Sequence, residues 1–172
     1  IRPVEAGEVA VQSGESIAFL GDSITQQGWG NGCGYVKLVI AGLEANGVKV
    51  TPYPAGISGH KSNQMLARLE KDVLSKKPDW MTLNCGVNDV RYGQNGIPLE
   101  DYKKNITAIV DECEKAGIKV MILTSTMIGE DQDNPNNQKL VAYNEFLRTL
   151  AQERKCLLAD LNADMQATLK QM

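Results

Sequence analysis

The stretch I-A-F-L-G-D-S-I-T, residues 17–25, decides the fold of this chain. Its four leading apolar residues are typical of a short strand that is buried on both faces of a parallel sheet. Gly21 permits a tight turn at the carboxyl end of that strand. Ser23 follows at a position that faces the cleft beyond such a sheet. The stretch therefore predicts a buried strand, a sharp turn and a serine at the edge of the sheet.

Outward from this stretch, strand-like and helix-like segments alternate to the end of the chain. Further strands are predicted at 48–53, 80–85, 120–124 and 156–161, and helices at about 35–46, 62–74, 99–117, 138–153 and 163–172. The helix at 35–46 is expected to place Leu38, Val39 and Leu43 on one apolar face. Because crossovers between parallel strands are right-handed, this alternation predicts an α/β fold. We expect a flavodoxin-like, doubly wound, five-stranded parallel sheet in the order 2-1-3-4-5 between two layers of helices.

Length and charge restrict the possible classes of protein. A chain of 172 residues is long enough for one domain with a sizeable core, so we assign residues 1–172 to a single domain. The net charge is −3 and the 18 Lys and Arg residues are scattered, which argues against a nucleic-acid partner. No apolar run approaches the roughly 20 residues that span a bilayer, so we predict no membrane span.

The first residue and the cysteines bear on the compartment. The chain begins at Ile1 without an initiator Met, which fits a processed leader or a trimmed sequence and favours a secreted or periplasmic location. The cysteines lie far apart without a C-x-x-C pair, which disfavours a structural zinc site and leaves disulfide formation open. They are Cys33, Cys85, Cys113 and Cys156.

Two more motifs follow the second and third predicted strands. Residues 56–60 read G-I-S-G-H, where Gly59 leaves a backbone N–H open to a ligand, although an ordinary strand-to-helix turn has the same composition. Residues 86–89 read G-V-N-D, where Asn88 can present its amide to a developing negative charge, or form only an Asx turn. Ser23 has an ordinary alternative as well, since serine after aspartate is a common helix N-cap.

Sheet order changes how these three motifs are interpreted. In the order 2-1-3 the first strand lies between the other two, so all three loops meet at one edge of the sheet. A serine hydroxyl and at least two N–H donors would converge there. This combination suits acyl transfer, in which Ser23 attacks a carbonyl while its own N–H, the Gly59 N–H and the Asn88 amide bind the oxyanion.

The same residues carry a resemblance to a known family. The sequences G-D-S-I-T at 21–25, S-G-H around Gly59 and G-V-N-D at 86–89 resemble blocks I, II and III of the SGNH (GDSL-type) esterases and lipases, in the family's order and spacing. The likeness extends from about Ser16 to the end of the chain. It implies a flavodoxin-like fold, hydrolysis of carboxylic esters, often acetyl groups on carbohydrates, and no metal or organic cofactor. It also implies Ser23, Gly59 and Asn88 as catalytic residues.

The fourth block of that family, an Asp-x-x-His near the C-terminus that supplies the base, does not occur in this sequence. Asp160 and Asp164 are followed three residues later by Ala163 and Ala167, and the only histidine is His60. A serine without its base is a poor nucleophile, so this chain is expected to be nearly inactive. One explanation is that a final loop and helix carrying Asp-x-x-His are missing after Met172. The other is a pseudoenzyme in which His60 is structural.

Other function classes receive less support from the sequence. The glycine-rich run at 28–34 fits no G-x-G-x-x-G frame, which argues against a nicotinamide cofactor, and it is interpreted as a flexible rim beside Ser23. Arg91 and Tyr92 follow the third motif and are expected to be exposed. The remaining alternative is a non-catalytic flavodoxin-like module that binds FMN or a carbohydrate at the same edge of the sheet.

Overall fold

The computed structural model describes residues 9–171 as a five-stranded parallel sheet with helices on both faces. The strand order is β2-β1-β3-β4-β5, which confirms the predicted order and fold class. The strands are β1 (Ser16–Gly21), β2 (Thr51–Gly56), β3 (Trp80–Asn84), β4 (Lys119–Leu123) and β5 (Leu157–Ala159). β1 lies inside the sheet, between β2 and β3, so the apolar residues 17–20 are in the interior of the molecule.

Eight α-helices connect or follow the strands within residues 9–171. They are α1 (Ser23–Gly30), α2 (Tyr35–Ala45), α3 (Ser62–Ala67), α4 (Leu69–Asp72), α5 (Val87–Arg91), α6 (Leu99–Lys115), α7 (Pro135–Arg154) and α8 (Leu161–Leu169). Short 3-10 turns lie at Leu74–Lys76 and Gly93–Asn95. None of the helices in this part of the chain is long and apolar enough to cross a membrane.

The two faces of the sheet bury alternate residues of β1. Ile17 and Phe19 pack with Val36 of α2 and Trp80 on one side, whereas Ala18 and Leu20 pack on the other. The second side is the larger core, because α3, α6 and α7 all contribute apolar residues to it. Since both faces of β1 are covered, the continuous apolar run at its centre is the pattern expected of an interior parallel strand.

Strand β2 begins and ends three residues later than predicted. The prediction covered 48–53, whereas the strand extends from Thr51 to Gly56 and includes Pro52 and Pro54. β2 lies at the edge of the sheet and pairs only with β1. An edge strand tolerates residues that lack a backbone N–H donor, so the two prolines do not end it.

The helix predicted at 62–74 is broken at Arg68, which separates α3 from α4. The guanidinium of Arg68 donates to the carbonyl of Ala55 at 2.8 Å and to that of Gly21 at 2.9 Å. It also pairs with Asp72 at 2.8 Å. Arg68 therefore ties the carboxyl ends of β1 and β2 together, and these long-range bonds are not visible in the helical spacing of the sequence.

The inner face of α2 also differs from the expectation. Leu38 and Val39 are 59% and 44% exposed, whereas Val36 is fully buried. Ile40 and Leu43 pack with Val36 against the sheet. The buried residues follow the i, i+4, i+7 spacing of one helical face. The prediction was thus correct for Leu43 and wrong for Leu38 and Val39.

Helix α8 is held to the sheet by a partly buried ion pair. Asp160 accepts from Arg148 Nε at 2.6 Å and Nη2 at 2.9 Å, and from the Thr124 hydroxyl at 2.9 Å. It also caps α8 by accepting from the N–H of Ala163. The hydrogen bonds from Arg148 lower the pKa of Asp160 to about 2. The carboxylate form is therefore strongly preferred in the folded protein.

This preference predicts how stability depends on pH. The folded pKa of Asp160 lies below its ordinary value of 3.8, so its contribution is present above about pH 4 and is lost as the pH falls towards about 2. We expect Asp160→Asn to lower the free energy of unfolding at pH 7 by about 1–2 kcal/mol, allowing for solvent screening. Urea unfolding at a series of pH values measures this. The variant should show a shallower loss of stability in acid than the wild type, and equal slopes would contradict the assignment.

Candidate active site at the carboxyl edge of the sheet

Ser23 lies at the first turn after β1, where the sequence analysis predicts it. It is the first residue of α1, and the N-cap of that helix is Asp22, whose carboxylate accepts from the N–H of Ile24 at 2.9 Å. The N-cap alternative for Ser23 is therefore taken by its neighbour. Ser23 is half-buried, and its hydroxyl makes no hydrogen bond to residues 9–171.

Gly59 has the open backbone that the second motif predicts. Its φ of +77° is a conformation that favours glycine, and a Cβ there would meet only the Tyr92 hydroxyl, at 4.0 Å. The N–H groups of Ile57, Ser58 and His60 all donate to protein atoms over 2.9 to 3.3 Å. The Gly59 N–H makes no such bond within the described part of the chain, and it remains available to a ligand.

Asn88 lies between the other two motifs. The residue is 5% exposed, and its Nδ2 donates to the Asp22 carboxylate at 3.2 Å and to the carbonyl of His60 at 3.0 Å. Each acceptor is the immediate neighbour of a predicted site residue, Ser23 in the first motif and Gly59 in the second. The structure therefore brings the three predicted residues to one edge of the sheet.

The turn that carries Asn88 is shaped by a glycine. Gly86 has φ +137°, and a Cβ at this position would lie 2.1 Å from the Ser125 hydroxyl oxygen. The carbonyl of Cys85 accepts from Ser125 at 2.7 Å and from the Tyr102 hydroxyl at 2.9 Å. The sequence motifs include neither Tyr102 nor Ser125. Their role depends on contacts 17 and 40 residues away from Cys85, which no local pattern contains.

Two carboxylates are buried beside these groups. Asp22 and Asp89 are 1% and 2% exposed. Burial raises the pKa of each carboxyl, and the charge of Asp89 adds to this effect at Asp22. Hydrogen bonds from protein N–H and O–H groups oppose the rise. These two carboxylates are thus removed from water, and their electrostatic interactions with neighbouring groups are stronger than they would be at an exposed position.

His60 does not serve Ser23 in this structure. Its imidazole makes no hydrogen bond to that serine, and its Nδ1 is buried without a partner among residues 9–171. Burial, followed by the charge of Arg68, lowers the pKa of His60. The contribution of His60 to the site is its backbone carbonyl, which receives the Asn88 amide.

The rim of the site differs in part from expectation. Arg91 and Tyr92 are exposed as predicted. Part of the glycine-rich run at 28–34, interpreted as a flexible rim, is closely packed instead. A Cβ on Gly34 would lie 2.6 Å from the Cα of Gly28, so these two glycines allow α1 and α2 to meet. Within residues 9–171 no three His, Cys, Asp or Glu side chains lie close enough together to hold a metal ion.

Comparison with solved structures identifies relatives of the same architecture. The acetylxylan esterase Axe2 from Geobacillus stearothermophilus superposes with a TM-score of 0.87 at 27% identity, over 95% of this chain and 84% of Axe2. The acetyl xylan esterase AlAXEase superposes with a TM-score of 0.80 at 35% identity, over 88% of this chain and 80% of that one. Three further structures are of catalytic mutants of Axe2, in which a serine, a histidine or an aspartate is replaced by alanine.

Sequence comparison gives the same relationship. A curated acetylxylan esterase of Geobacillus stearothermophilus is 30% identical over 182 residues, which cover 93% of this chain and 82% of that enzyme. The model of the GDSL-like lipase/acylhydrolase family matches residues 19–171, a range that includes all three motifs. The chain therefore belongs to the GDSL-like lipase/acylhydrolase family and is, by family, a carboxylic ester hydrolase.

Proposed function

We propose that this protein removes acetyl groups from carbohydrates of the acetylated xylan or xylo-oligosaccharide class, through an acyl-enzyme on Ser23. One observation carries the proposal: the Asn88 amide lies within hydrogen-bonding distance of both the carboxylate beside Ser23 and the carbonyl beside Gly59. The acetylxylan esterases among the relatives, which match most of this chain, support the choice of substrate.

The reaction begins with attack of the Ser23 hydroxyl oxygen on the acetyl carbonyl. The carbonyl oxygen becomes an oxyanion, which receives hydrogen bonds from the Ser23 N–H, the Gly59 N–H and the Asn88 amide. Collapse of this tetrahedral intermediate breaks the bond to the sugar oxygen, which leaves as a hydroxyl after taking a proton. Water then attacks the acetyl group on Ser23, releases acetate and restores the serine.

The proton of Ser23 needs an acceptor that residues 9–171 do not place beside it. His60 is the only histidine of the sequence, and its imidazole makes no hydrogen bond to Ser23. The catalytic mutants of Axe2 indicate that a histidine and an aspartate act in that enzyme. We propose that residues 1–172 supply the nucleophile and the oxyanion donors but not the base. Turnover by these 172 residues alone is then slow, and a small exogenous base such as imidazole can take over the proton transfer.

The first prediction of the proposed function concerns Ser23. After incubation with 4-nitrophenyl acetate and imidazole, peptide mapping by mass spectrometry should find an acetyl group on Ser23. The acetyl group persists there once the imidazole is removed by rapid gel filtration, because water attack on the acyl-enzyme also needs a base. In Ser23→Ala, release of 4-nitrophenol above the protein-free rate should fall at least about a hundredfold.

Ser75→Ala is the matched control, because Ser75 is an exposed serine that bonds only its own helix region. Its acetylation at residue 23 should equal that of the wild type. Acetyl groups found only on surface lysines, in the wild type and in Ser23→Ala alike, would contradict the proposed nucleophile. That result would favour a non-catalytic binding module.

A second prediction concerns the oxyanion. Asn88→Ala removes one donor, and loss of one such donor typically slows acyl transfer about 10²–10³-fold. Stopped-flow measurement of the acylation phase with 4-nitrophenyl acetate and imidazole should show a decrease of this size. Asn46→Ala, at an exposed amide that bonds only the carbonyl of Gly42, should leave the rate unchanged. Equal rates in the two variants would exclude Asn88 as a donor.

A further inference from the structure

The carboxylate of Asp89 is not among the groups that contact the acetyl group in the proposed reaction, yet it is 2% exposed and closely hydrogen-bonded. Its Oδ1 accepts from the Ser62 hydroxyl at 2.6 Å and from the Ser62 N–H at 3.0 Å. Its Oδ2 accepts from the Cys85 thiol at 3.5 Å. Burial of a carboxylate is unfavourable unless donors of this kind compensate for the lost water.

The partners of Asp89 connect two loops of the candidate site. Ser62 is the first residue of α3 and follows the G-I-S-G-H motif after only one intervening residue. Ser62 is fully buried, and its hydroxyl also accepts from Asn105 of α6 at 3.1 Å. The carboxylate therefore holds the end of the Gly59 loop against the helix that carries Asn88.

A second bond runs parallel to this one. The Asn88 amide donates to the carbonyl of His60 at 3.0 Å. Adjacent residues of α5, Asn88 and Asp89, thus hold residues 60 and 62 of the neighbouring loop. Two attachment points fix the distance between the loop and α5 and also restrict rotation of the loop. The Gly59 N–H lies directly before the first of these points, so its direction depends on them.

We propose that Asp89 is a positioning residue that, through Ser62, aims the Gly59 N–H and the Asn88 amide at one oxyanion position. The proposal rests on the proposed function, because it assumes that these two groups are the oxyanion donors. Oxyanion stabilisation depends on donors that are already in place before charge develops. A loop displaced by a few tenths of an ångström would forfeit part of that effect without unfolding the protein.

Phenylboronic acid tests the position of the donors without requiring a catalytic base. The Ser23 oxygen forms a bond to boron, its proton passes to solvent, and boron becomes tetrahedral and negatively charged while keeping both hydroxyl groups. The adduct places a hydroxyl oxygen of the negatively charged boronate where the oxyanion of the reaction would lie. Its affinity, measured by ¹¹B NMR titration, therefore reports how well the donors are aimed.

In Asp89→Asn we expect the affinity for phenylboronic acid to fall about tenfold or more. Removal of one oxyanion donor typically costs 10²–10³-fold in rate, and here the donor is displaced but not removed. Ser62→Ala should weaken the adduct by a similar factor. The double variant should bind the boronate no more weakly than the weaker-binding single variant, because both changes act on the one contact between Ser62 and Asp89. The two single variants also guard against a failure of either protein to fold.

The matched control is Asp79→Asn, which lies directly before β3, at the opposite end of the strands from the site. Asp79 also accepts from the N–H and hydroxyl of one serine, Ser16, at 2.8 and 2.9 Å, and it also joins two segments of chain. We expect its replacement to lower the thermal unfolding midpoint while leaving the boronate affinity at the wild-type value. A merely structural role for Asp89 would give the same pattern in Asp89→Asn and would overturn the proposal.

The same titration separates failure of this inference from failure of the proposed function. If wild-type protein forms no tetrahedral adduct that is lost in Ser23→Ala, the proposed active site is wrong and the positioning role falls with it. If that adduct forms and Asp89→Asn and Ser62→Ala bind phenylboronic acid as tightly as the wild type, only the positioning role is wrong.

Discussion

The common level at which three parallel strands end is the constraint on which the site depends. Gly21, the last residue of β1, pairs with Gly56 of β2 and with Asn84 of β3. The three loops that follow therefore leave the sheet side by side. Helix α1 crosses directly over these ends, because a Cβ on Gly21 would lie 2.0 Å from the Thr25 hydroxyl oxygen and one on Gly56 2.3 Å from the N of Gln26. The strand register, together with the lack of a side chain at Gly21 and Gly56, brings Ser23 close to the other two motifs.

Polar groups replace apolar packing at this edge of the sheet. Asp22, Ser62, Asn88, Asp89 and Ser125 are all at most 5% exposed. Each makes hydrogen bonds to other parts of the site region, which offsets the cost of removing it from water. Such networks are sensitive to a single missing partner but define one geometry more narrowly than apolar contacts do. The same sheet is packed with aliphatic residues a few positions earlier in each interior strand.

Much of this organisation can be predicted from local sequence. The remainder cannot, because it depends on contacts between residues that are far apart in the chain. The apolar runs and helical spacings predict the sheet, its order and the loops that contain Ser23, Gly59 and Asn88. Asp89 belongs to a motif that the sequence makes conspicuous, yet its partner Ser62 is 27 residues away. The break at Arg68 likewise depends on the carbonyl of Gly21, 47 residues away. Periodicity reports which side of an element is apolar, but it carries no information on which distant polar groups meet.

The prolines of β2 affect how the edge of the sheet can meet another chain. An edge strand normally offers a row of unpaired N–H and C=O groups onto which another chain can add. Pro52 and Pro54 remove two donors from this row, and at the other edge of the described sheet β5 is only three residues long. Neither border is a good template for intermolecular β-pairing. The molecule can thus keep an open sheet at high concentration with little tendency to grow into fibrils by strand addition.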